Sequence, residues 1–464
     1  MEQIFDFDLL IIGSGTGGYV AAIRASQLGL KTAVVEKDKP GGVCLNWGCI
    51  PSKSLIHQAE TYGSIHGLEK MGLKVDVSGF DYCKVYKKSR KTSETLSRGI
   101  TYLLNKNNIE FIKGEAKIVR NHEIIVNGEK KITGKNIIVA TGSRAREIPS
   151  FPIDEDTVLS STGALMMQEL PETMLILGAG AIGVEFAHIF NAFGVKIHLV
   201  EMLDQILPLE DAETAAVLNR EFRKRKIKIY TGTKASSMEK KDDVIEVVLE
   251  AKDGKQKIVE VEKILVAVGR TPNSENLGLE NVGIKTDRGF IPVGDYYKTV
   301  VPEIFAVGDV IESSQLAHVA SKEGEIAVEY MAGLKPESRI DPDTIPGAVY
   351  CEPQVGSFGP TESKLQETEV KYEKFVFPYR GAGKSVAIEK PAGLAKVLVN
   401  PDTHEILGAS VVGAEATEII HELLLAKSAK LLPRDIAEMI HAHPTLSEVN
   451  MELMRGIEGW AIHV

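Results

Sequence analysis

Two stretches of the chain carry the same order of apolar and polar positions. Residues 8–36 and 173–201 each begin with a short apolar run, pass through a glycine-rich turn into a helix-like segment, and end with a second apolar run closed by a glutamate. This order of strand, turn, helix and strand is typical of the unit that begins an open, mostly parallel sheet. The chain is therefore predicted to contain two α/β domains of the same kind.

Each residue that the two copies of the turn share has a physical reason to be there. The glycines and closing acids of the two copies are, in order, Gly13, Gly15, Gly18 and Glu36, and then Gly178, Gly180, Gly183 and Glu201. The first glycine permits a tight turn, the second lets the backbone approach a pyrophosphate, and the third lets the helix pack closely on the strand. The acid can accept both hydroxyls of an adenosine ribose. Both copies are predicted to bind a dinucleotide, with Ile182 expected beside the second one.

Two dinucleotide sites in one chain indicate electron transfer between two cofactors, and a flavin with a nicotinamide is the natural pair. The alternative, one working site and one decayed copy, does not explain why both copies keep every glycine and the acid. After Glu201 the chain continues MLDQILP, which supplies no arginine or lysine for the 2′-phosphate of NADP. A carboxylate at this position repels that phosphate, so NAD is favoured over NADP.

Two of the four cysteines lie five residues apart in the stretch GGVCLNWGCIPSK, where the chain leaves the first dinucleotide fold. The pattern of residues 45–59 can be helical, with Pro51 in the first turn. Because helical positions i and i+5 point about 140° apart, Cys44 and Cys49 must span a helix start in order to bond. A helix N-terminus and the cation of Lys53 both lower thiol pKa values. We expect a redox-active pair, since two buried structural thiols would explain neither the clustering nor the position.

A base for thiol chemistry is available in the C-terminal stretch HAHPTLSEVN. Little of a free thiol is ionised at neutral pH, so a histidine that takes its proton accelerates its reactions. Pro444 favours extended backbone at His443 just before a helix begins, and Glu448 then lies on the first helical turns, where it can orient the imidazole. His441 is the weaker candidate. The alternative, in which both histidines are structural, stays open at this point.

Composition and charge place these motifs in an ordinary globular protein of about three domains. The net charge of −10 over 464 residues argues against a nucleic-acid or anionic-membrane partner. The acidic N-terminal stretch MEQIFDFD is unlike a signal peptide, and no run approaches the ~20 apolar residues of a membrane span. Four cysteines do not make a disulfide framework for this length, so we expect a cytoplasmic protein in which Cys83 and Cys351 are inert. No residues are assigned to a metal.

Together these motifs resemble the flavin disulfide reductases over the whole chain. The shared features are the GG-x-C-x4-C-x-P-x-K stretch, the paired GxGxxG folds, the strand ends ATG and GD, and the closing HPTxxE. The resemblance implies an α/β fold with two nested Rossmann-like dinucleotide-binding domains and a C-terminal α+β dimerisation domain, and it implies FAD and NAD as cofactors. The expected domains are a first FAD-binding part at 1–147, an NAD-binding domain at 148–270, a second FAD-binding or central part at 271–342, and an interface domain at 343–464.

The resemblance also assigns roles to single residues. Cys44 would be the thiol that meets the substrate and Cys49 the thiol against the flavin. Lys53 would lie beside the flavin and pair with Glu185. The further cofactor contacts that the resemblance implies are Gly114, Gly142, Gly269, Asp309 and Ala317. The family is homodimeric, so His443 and Glu448 would act on the cysteines of the other subunit.

Within the family, the chain most resembles the members that oxidise protein-bound dihydrolipoyl groups with NAD⁺. Its partner would then be the lipoyl-bearing subunit of a 2-oxo acid dehydrogenase or glycine cleavage complex. One alternative is a reductase of another low-molecular-weight disulfide, and another is a flavoprotein scaffold without thiol turnover. A mercuric reductase is disfavoured because the C-terminus GWAIHV lacks an extra cysteine pair. Val43 and Trp47 depart from the usual residues of the cysteine stretch and bear on substrate choice.

Overall fold

The structure is a computed structural model, and it describes residues 4–464. The strands are β1 (Phe7–Ile12), β2 (Thr32–Glu36), β3 (Glu110–Lys113), β4 (Ala116–Arg120), β5 (Glu123–Val126), β6 (Lys130–Val139), β7 (Ser143–Ala145), β8 (Val158–Leu159), β9 (Thr173–Leu177), β10 (Lys196–Val200), β11 (Lys228–Tyr230), β12 (Thr233–Lys241), β13 (Val244–Ala251), β14 (Gln256–Val261), β15 (Lys263–Val266), β16 (Arg270–Pro272), β17 (Ile304–Ala306), β18 (Gly347–Val349), β19 (Gln354–Phe358), β20 (Glu373–Pro378), β21 (Leu394–Val399) and β22 (Ile406–Gly413).

The helices lie between these strands. They are α1 (Thr16–Gln27), α2 (Gly42–Trp47), α3 (Cys49–Gly63), α4 (Ile65–Lys70), α5 (Tyr82–Lys106), α6 (Ser161–Met166), α7 (Ala181–Ala192), α8 (Ala212–Lys224), α9 (Ala317–Met331), α10 (Glu362–Glu367), α11 (Gly383–Ala387), α12 (Ala416–Ser428), α13 (Pro433–Ala437) and α14 (Glu448–Ile457). Short 3-10 helices cover Leu279–Val282, Asp295–Tyr297, Gly308–Val310, Pro342–Thr344 and Tyr379–Gly381.

The first sheet combines a parallel and an antiparallel part that share the long strand β6. Five strands run parallel in the order β3, β2, β1, β6 and β17, and the first half of β6 also pairs antiparallel with β5, which pairs with β4. Residues 9–11 of β1 have no exposed surface. A parallel strand covered on both faces needs apolar residues at every position, which explains the unbroken apolar run in the sequence.

The second sheet repeats this plan. Five parallel strands run in the order β11, β10, β9, β15 and β8, and a three-stranded antiparallel sheet of β12, β13 and β14 is inserted before β15. The two α/β parts of the chain are joined where β16 pairs antiparallel with β7. The predicted repeat of two α/β dinucleotide folds is therefore confirmed.

The last part of the chain has a different architecture. Its five strands form an antiparallel sheet in the order β18, β19, β22, β21 and β20. Helix α12 packs on β19 and β22, while α14 packs on β20 and β21, and their apolar side chains form a core of their own. This is an α+β arrangement, so the predicted fold class is confirmed.

The strand ends bring the candidate site together. The turn after β1, the turn after β6 and the turn after β17 meet at the carboxyl edge of the first sheet, where ligands bind in folds of this kind. Across residues 4–464, the structure contains no helix that is both long and apolar enough to cross a membrane. The same part of the chain holds no cluster of three or more histidine, cysteine, aspartate or glutamate side chains arranged to bind a metal.

Candidate active site

The two glycine turns have nearly identical geometry. A Cβ added at Gly13 would lie 2.3 Å from the carbonyl oxygen of Ala140, and one at Gly178 would lie 2.4 Å from the equivalent carbonyl in the second copy. Both glycines also have positive φ angles, of 103° and 93°. A Cβ at Gly18 would lie 2.0 Å from the Gly13 oxygen, and the equivalent distance at Gly183 is 1.9 Å. Only glycine fits these four positions, because a side chain would meet backbone.

The middle glycine of each turn faces open space. Gly15 and Gly180 are the N-cap residues of α1 and α7, and an added Cβ at either would find no atom within 4 Å. The free backbone N–H groups of a helix N-terminus, with its positive dipole end, attract a phosphate group. Ile182 lies in the first turn of α7, beside this space. Both turns therefore fit the pyrophosphate of a dinucleotide.

Glu36 and Glu201 are held in the same way at the ends of β2 and β10. In each case one carboxylate oxygen accepts, at 2.8 Å, the N–H of the residue after the first glycine of the turn. The other oxygen accepts the N–H two positions beyond the acid, at 2.7 Å for Glu36 and 3.0 Å for Glu201. The Ser14 hydroxyl also donates to Glu36, at 2.8 Å. A carboxylate has about four acceptor positions. Two acceptor positions of Glu201 therefore stay free for a ribose diol. Glu36 has one free position, and the Ser14 hydroxyl occupies another that a ribose hydroxyl could take.

Asp309 lies where the two α/β folds meet. Its carboxylate accepts a hydrogen bond from the Ser143 hydroxyl, immediately after Gly142. Arg270, immediately after Gly269, donates to the same hydroxyl at 2.6 Å and lies 3.5 Å from the Asp309 carboxylate. Arg270 was not among the residues predicted for the site. The only available signal was its position, since it follows its strand and glycine in the second copy just as Ser143 does in the first.

The remaining predicted cofactor contacts lie around the first glycine turn. Gly114 donates its N–H to the backbone oxygen of Glu36 at 2.9 Å. Ala317 is the first residue of α9, which packs against α1 so closely that a Cβ at Gly17 would lie 3.1 Å from the Ala320 oxygen. The N-terminus of α9 therefore lies beside that of α1, where a second helix dipole favours negative charge.

The helix that carries the cysteines is broken, which corrects the continuous helical pattern predicted for residues 45–59. Helix α2 ends before Gly48 and α3 begins at Cys49, with Gly48 at φ −152° and ψ −110°, outside both the helical and the extended regions. A Cβ at Gly48 would lie 3.2 Å from the Val43 oxygen, so the chain turns tightly there. The break places Cys44 and Cys49 on different helices, and the two side chains, both thiols here, are hydrogen-bonded to each other.

The two thiols differ in acidity. The hydrogen bond from Cys44, together with the charge of Lys53, lowers the pKa of Cys49 to about 7, against the opposing effect of burial. Donation of that hydrogen bond, together with burial, raises the pKa of Cys44. Cys49 is therefore the thiol that ionises near neutral pH, while Cys44 keeps its proton. This is the arrangement in which Cys49 is the better leaving group of a disulfide.

Lys53 is fixed by an ion pair that joins distant parts of the chain. Its ammonium lies 2.9 Å from both carboxylate oxygens of Glu185 on α7. Tyr350 donates its backbone N–H to the same carboxylate at 3.0 Å, and its ring centroid lies 4.4 Å from the ammonium. Burial opposes the charge of Lys53, but Glu185 outweighs burial, and the pKa of Lys53 is raised. No local pattern indicates the role of Tyr350, which lies 165 residues from Glu185.

Replacing Lys53 with methionine should raise the pKa of Cys49. The ammonium lowers that pKa through its charge, and loss of an adjacent opposite charge shifts a pKa by about 1–3 units. The measurement is the pH dependence of iodoacetamide alkylation at Cys49 in the reduced protein, followed by peptide mass spectrometry. Lys39→Met is the matched control, since this exposed lysine belongs to the same segment. An unchanged alkylation profile in Lys53→Met would contradict the assignment.

His443 and Glu448 form a pair at the start of α14. The imidazole Nδ1 lies 2.9 Å from one carboxylate oxygen, and the Thr445 N–H donates to the other at 2.8 Å. Burial raises the pKa of Glu448, but these two partners outweigh burial, and the pKa is lowered overall. The His443 side chain is 76% exposed. Within residues 4–464 it makes no hydrogen bond to Cys44 or Cys49.

The other histidine and the other cysteines have structural surroundings. The His441 side chain is 3% exposed, and its Nε2 lies 2.8 Å from Glu422. Cys83 lies on α5 with its thiol 3.8 Å from the Gln168 side chain. Cys351 is fully buried just beyond β18, and burial raises its pKa. A high pKa keeps a thiol unreactive.

Family comparisons agree with this geometry. The profile of the pyridine nucleotide-disulphide oxidoreductases matches residues 7–324, and the dimerisation domain of the same family matches residues 345–454. The chain belongs to this family. It is an enzyme that uses FAD and NAD(H) to oxidise or reduce a disulfide, and its last domain is the one through which the family forms homodimers. The predicted family membership and cofactors are therefore confirmed.

Relatives and solved structures match almost the whole chain. Dihydrolipoyl dehydrogenase from Rhizobium etli is 40% identical over 96% of this chain and 97% of its own length. An enzyme of the same name from Bacillus subtilis is 40% identical over 99% of both chains. The crystal structure of LpdA from Mycobacterium tuberculosis superimposes with a TM-score of 0.90 at 25% identity, covering 97% of this chain and 99% of that one. The flavoprotein disulfide reductase RclA from Escherichia coli gives a TM-score of 0.86 at 27% identity, covering 96% and 99%.

Proposed function

We propose that this enzyme oxidises protein-bound dihydrolipoyl groups and reduces NAD⁺ to NADH, with Cys44 and Cys49 as its redox pair. The observation that carries the proposal is the pair of thiols across Gly48, of which Cys49 has a pKa of about 7 beside the Lys53–Glu185 ion pair. The name shared by relatives 40% identical to this chain supports the same substrate.

The first chemical step uses the disulfide form of the pair. A thiolate of the substrate attacks the Sγ of Cys44, a new S–S bond forms to the substrate, and Cys49 leaves as a thiolate. The lowered pKa of Cys49 stabilises this leaving group, and a leaving thiol of lower pKa departs faster. His443 accepts the proton of the attacking thiol, and Glu448 stabilises the imidazolium that forms.

The second step releases the oxidised substrate. The remaining substrate thiol attacks the substrate sulfur bonded to Cys44, and its proton passes to the departing Cys44 sulfur, which closes the substrate disulfide and frees Cys44. The raised pKa of Cys44 favours its return to the protonated thiol. Bound FAD supplies the two-electron oxidation of the resulting dithiol and the delivery of hydride to NAD⁺. Lys53 keeps the Cys49 thiolate charged between these events.

The residues that hold the cofactors follow from the two glycine turns and the acids that face them. We assign FAD to the first, with Asp309 and the N-terminus of α9 on its flavin side, and NAD to the second, with Glu201 on its ribose. The full set for FAD is Gly13, Gly15, Gly18, Glu36, Lys53, Gly114, Gly142, Asp309 and Ala317, and that for NAD is Gly178, Gly180, Ile182, Gly183, Glu185, Glu201 and Gly269. We propose the matching domain limits: 1–147 and 271–342 for the two FAD-binding parts, 148–270 for the NAD-binding domain and 343–464 for the interface domain.

The homodimer completes the site in this proposal. His443 is largely exposed and makes no bond to the thiols within the described part of its own chain, which supports action on the cysteines of the other subunit. The substrate arm would arrive on the lipoyl-bearing subunit of a 2-oxo acid dehydrogenase or glycine cleavage complex. We place the enzyme in the cytoplasm, where a reactive thiol pair is the usual use of cysteines in a chain with few of them.

The nicotinamide preference tests the cofactor assignment. With dihydrolipoamide as substrate, the enzyme should form NADH readily and use NADP⁺ poorly, because the Glu201 carboxylate repels the 2′-phosphate of NADP⁺. Replacing Glu201 with alanine and the exposed Met202 with arginine should raise the ratio of kcat/KM for NADP⁺ to that for NAD⁺ by about tenfold, a change of about 1.4 kcal/mol. Equal kcat/KM values for both cofactors in the unmodified enzyme would refute the NAD assignment.

A further inference from the structure

Helix α5 is strongly basic although the chain is acidic. Its 25 residues include seven lysines and arginines and a single acid, Glu94, while the whole chain has a net charge of −10. None of the residues assigned to catalysis or to cofactor binding lies on this helix. Its charge therefore needs an explanation of its own.

Six of the seven cations lie on one face of α5. At 100° per residue they fall within about 100° of one another, along some 33 Å of helix. We call this row the basic stripe, and it consists of Lys84, Lys87, Lys88, Lys91, Arg98 and Lys106, all of them exposed. Tyr102 lies in the same row and is 64% exposed. The opposite face of the helix carries buried residues that pack inward.

The basic stripe has no anionic partner in the described chain. No carboxylate within residues 4–464 lies within 4.0 Å of any of its six cations. Several of them are also like-charged neighbours at i,i+3 or i,i+4, which destabilises a helix. The repulsion would be relieved by an acidic surface from outside the chain.

The inner face of α5 lies directly on the segment that carries the redox cysteines. Ser89 donates its hydroxyl to the Pro51 oxygen at 3.1 Å, and Arg90 donates to the Asn46 oxygen at 2.9 Å. A helix with its side chains is about 10–12 Å across. A protein bound to the basic stripe is therefore held about one helix diameter from the segment that carries Cys44 and Cys49, a distance that a long flexible substrate arm can bridge.

We propose that the basic stripe is the docking surface for an acidic face of the protein domain that carries the dithiol substrate. This inference rests on the proposed function. A single row of cations beside the thiols fits a small acidic domain, with Tyr102 as an aromatic anchor of the kind common in interfaces. The negative charge of the rest of the chain disfavours a nucleic acid or an anionic membrane, since either would extend beyond the stripe.

The test compares two substrates in two variants. The stripe variant is Lys87→Gln, Lys88→Gln and Lys91→Gln, and the control is Lys228→Gln, Lys234→Gln and Lys285→Gln, which removes the same charge from exposed lysines without ion pairs in the described structure. The substrates are free dihydrolipoamide and a reduced, lipoylated carrier domain of net negative charge. At low salt the stripe variant should lose about tenfold in kcat/KM with the carrier domain, the lower end of electrostatic steering.

The same variant should keep its kcat/KM for free dihydrolipoamide, and added salt should remove the difference between the unmodified enzyme and the stripe variant. Equal losses in the stripe and control variants, or no loss with the carrier domain, would overturn the docking surface. Stripe-dependent co-sedimentation with phosphatidylserine vesicles, without an effect on the carrier domain, would also overturn it. An unmodified enzyme that oxidises neither substrate would instead refute the proposed function, so the two failures are distinct.

Discussion

Replacing Cys49 with serine should abolish dihydrolipoamide oxidation. We expect kcat to fall by a factor on the order of 10⁴ or more, the usual effect of removing an atom that reacts covalently. Serine cannot form the disulfide that accepts the electrons of the substrate. Electron transfer from NADH through FAD to ferricyanide should persist, because this route bypasses the thiols. Both activities are measured on the same purified protein.

Cys83→Ser is the matched control for this prediction. Its thiol lies on α5 and contacts Gln168 rather than another cysteine, so both activities should stay near those of the unmodified enzyme. A Cys49→Ser enzyme that still oxidises dihydrolipoamide at a substantial rate would show that another group accepts the electrons.

Replacing His443 with glutamine should lower dihydrolipoamide oxidation by roughly 10²–10⁴, the usual effect of losing a general base. FAD binding should be unchanged, because neither dinucleotide site includes the segment around His443. The activity should partly recover at high pH, where solvent ionises the substrate thiol. The measurement is a pH profile of kcat/KM. His66→Gln, at an exposed histidine also paired with a glutamate, is the control, and near-normal turnover of His443→Gln at neutral pH would refute the base.

Mixed dimers extend this test to the shared site. A dimer of one Cys44→Ser subunit and one His443→Gln subunit contains one site in which both lesions meet and one in which both groups are intact, if the base acts across the interface. Such dimers should regain up to half of the activity of the unmodified enzyme. Verified heterodimers that stay inactive would show that each base serves its own chain.

Local sequence patterns predicted much of this molecule. Both glycine turns could be identified because their physical requirements fall within about 20 residues, and the structure gives them nearly the same geometry. The contact of His443 with Glu448 was predictable for the same reason, since only five residues and one helix start separate them.

Contacts between distant segments were not predictable in this way. Arg270 reaches Ser143 across 127 residues, and Tyr350 reaches Glu185 across 165. These contacts depend on how the sheets pack and not on any local pattern. A helix start between the two cysteines was predicted from their spacing, and α3 does begin at Cys49. The break at Gly48 itself was missed, because the residues on both sides are compatible with one continuous helix and only the close approach to Val43 reveals the turn.

The most direct test of the central claim is to follow the two cysteines through one turnover. In the oxidised enzyme, iodoacetamide should label neither Cys44 nor Cys49. One equivalent of dihydrolipoamide, added without oxygen and without NAD⁺, should make one or both of these cysteines reactive. Subsequent NAD⁺ should yield one NADH per dithiol and restore protection. NADH formation without any change in the labelling of these cysteines would contradict the account.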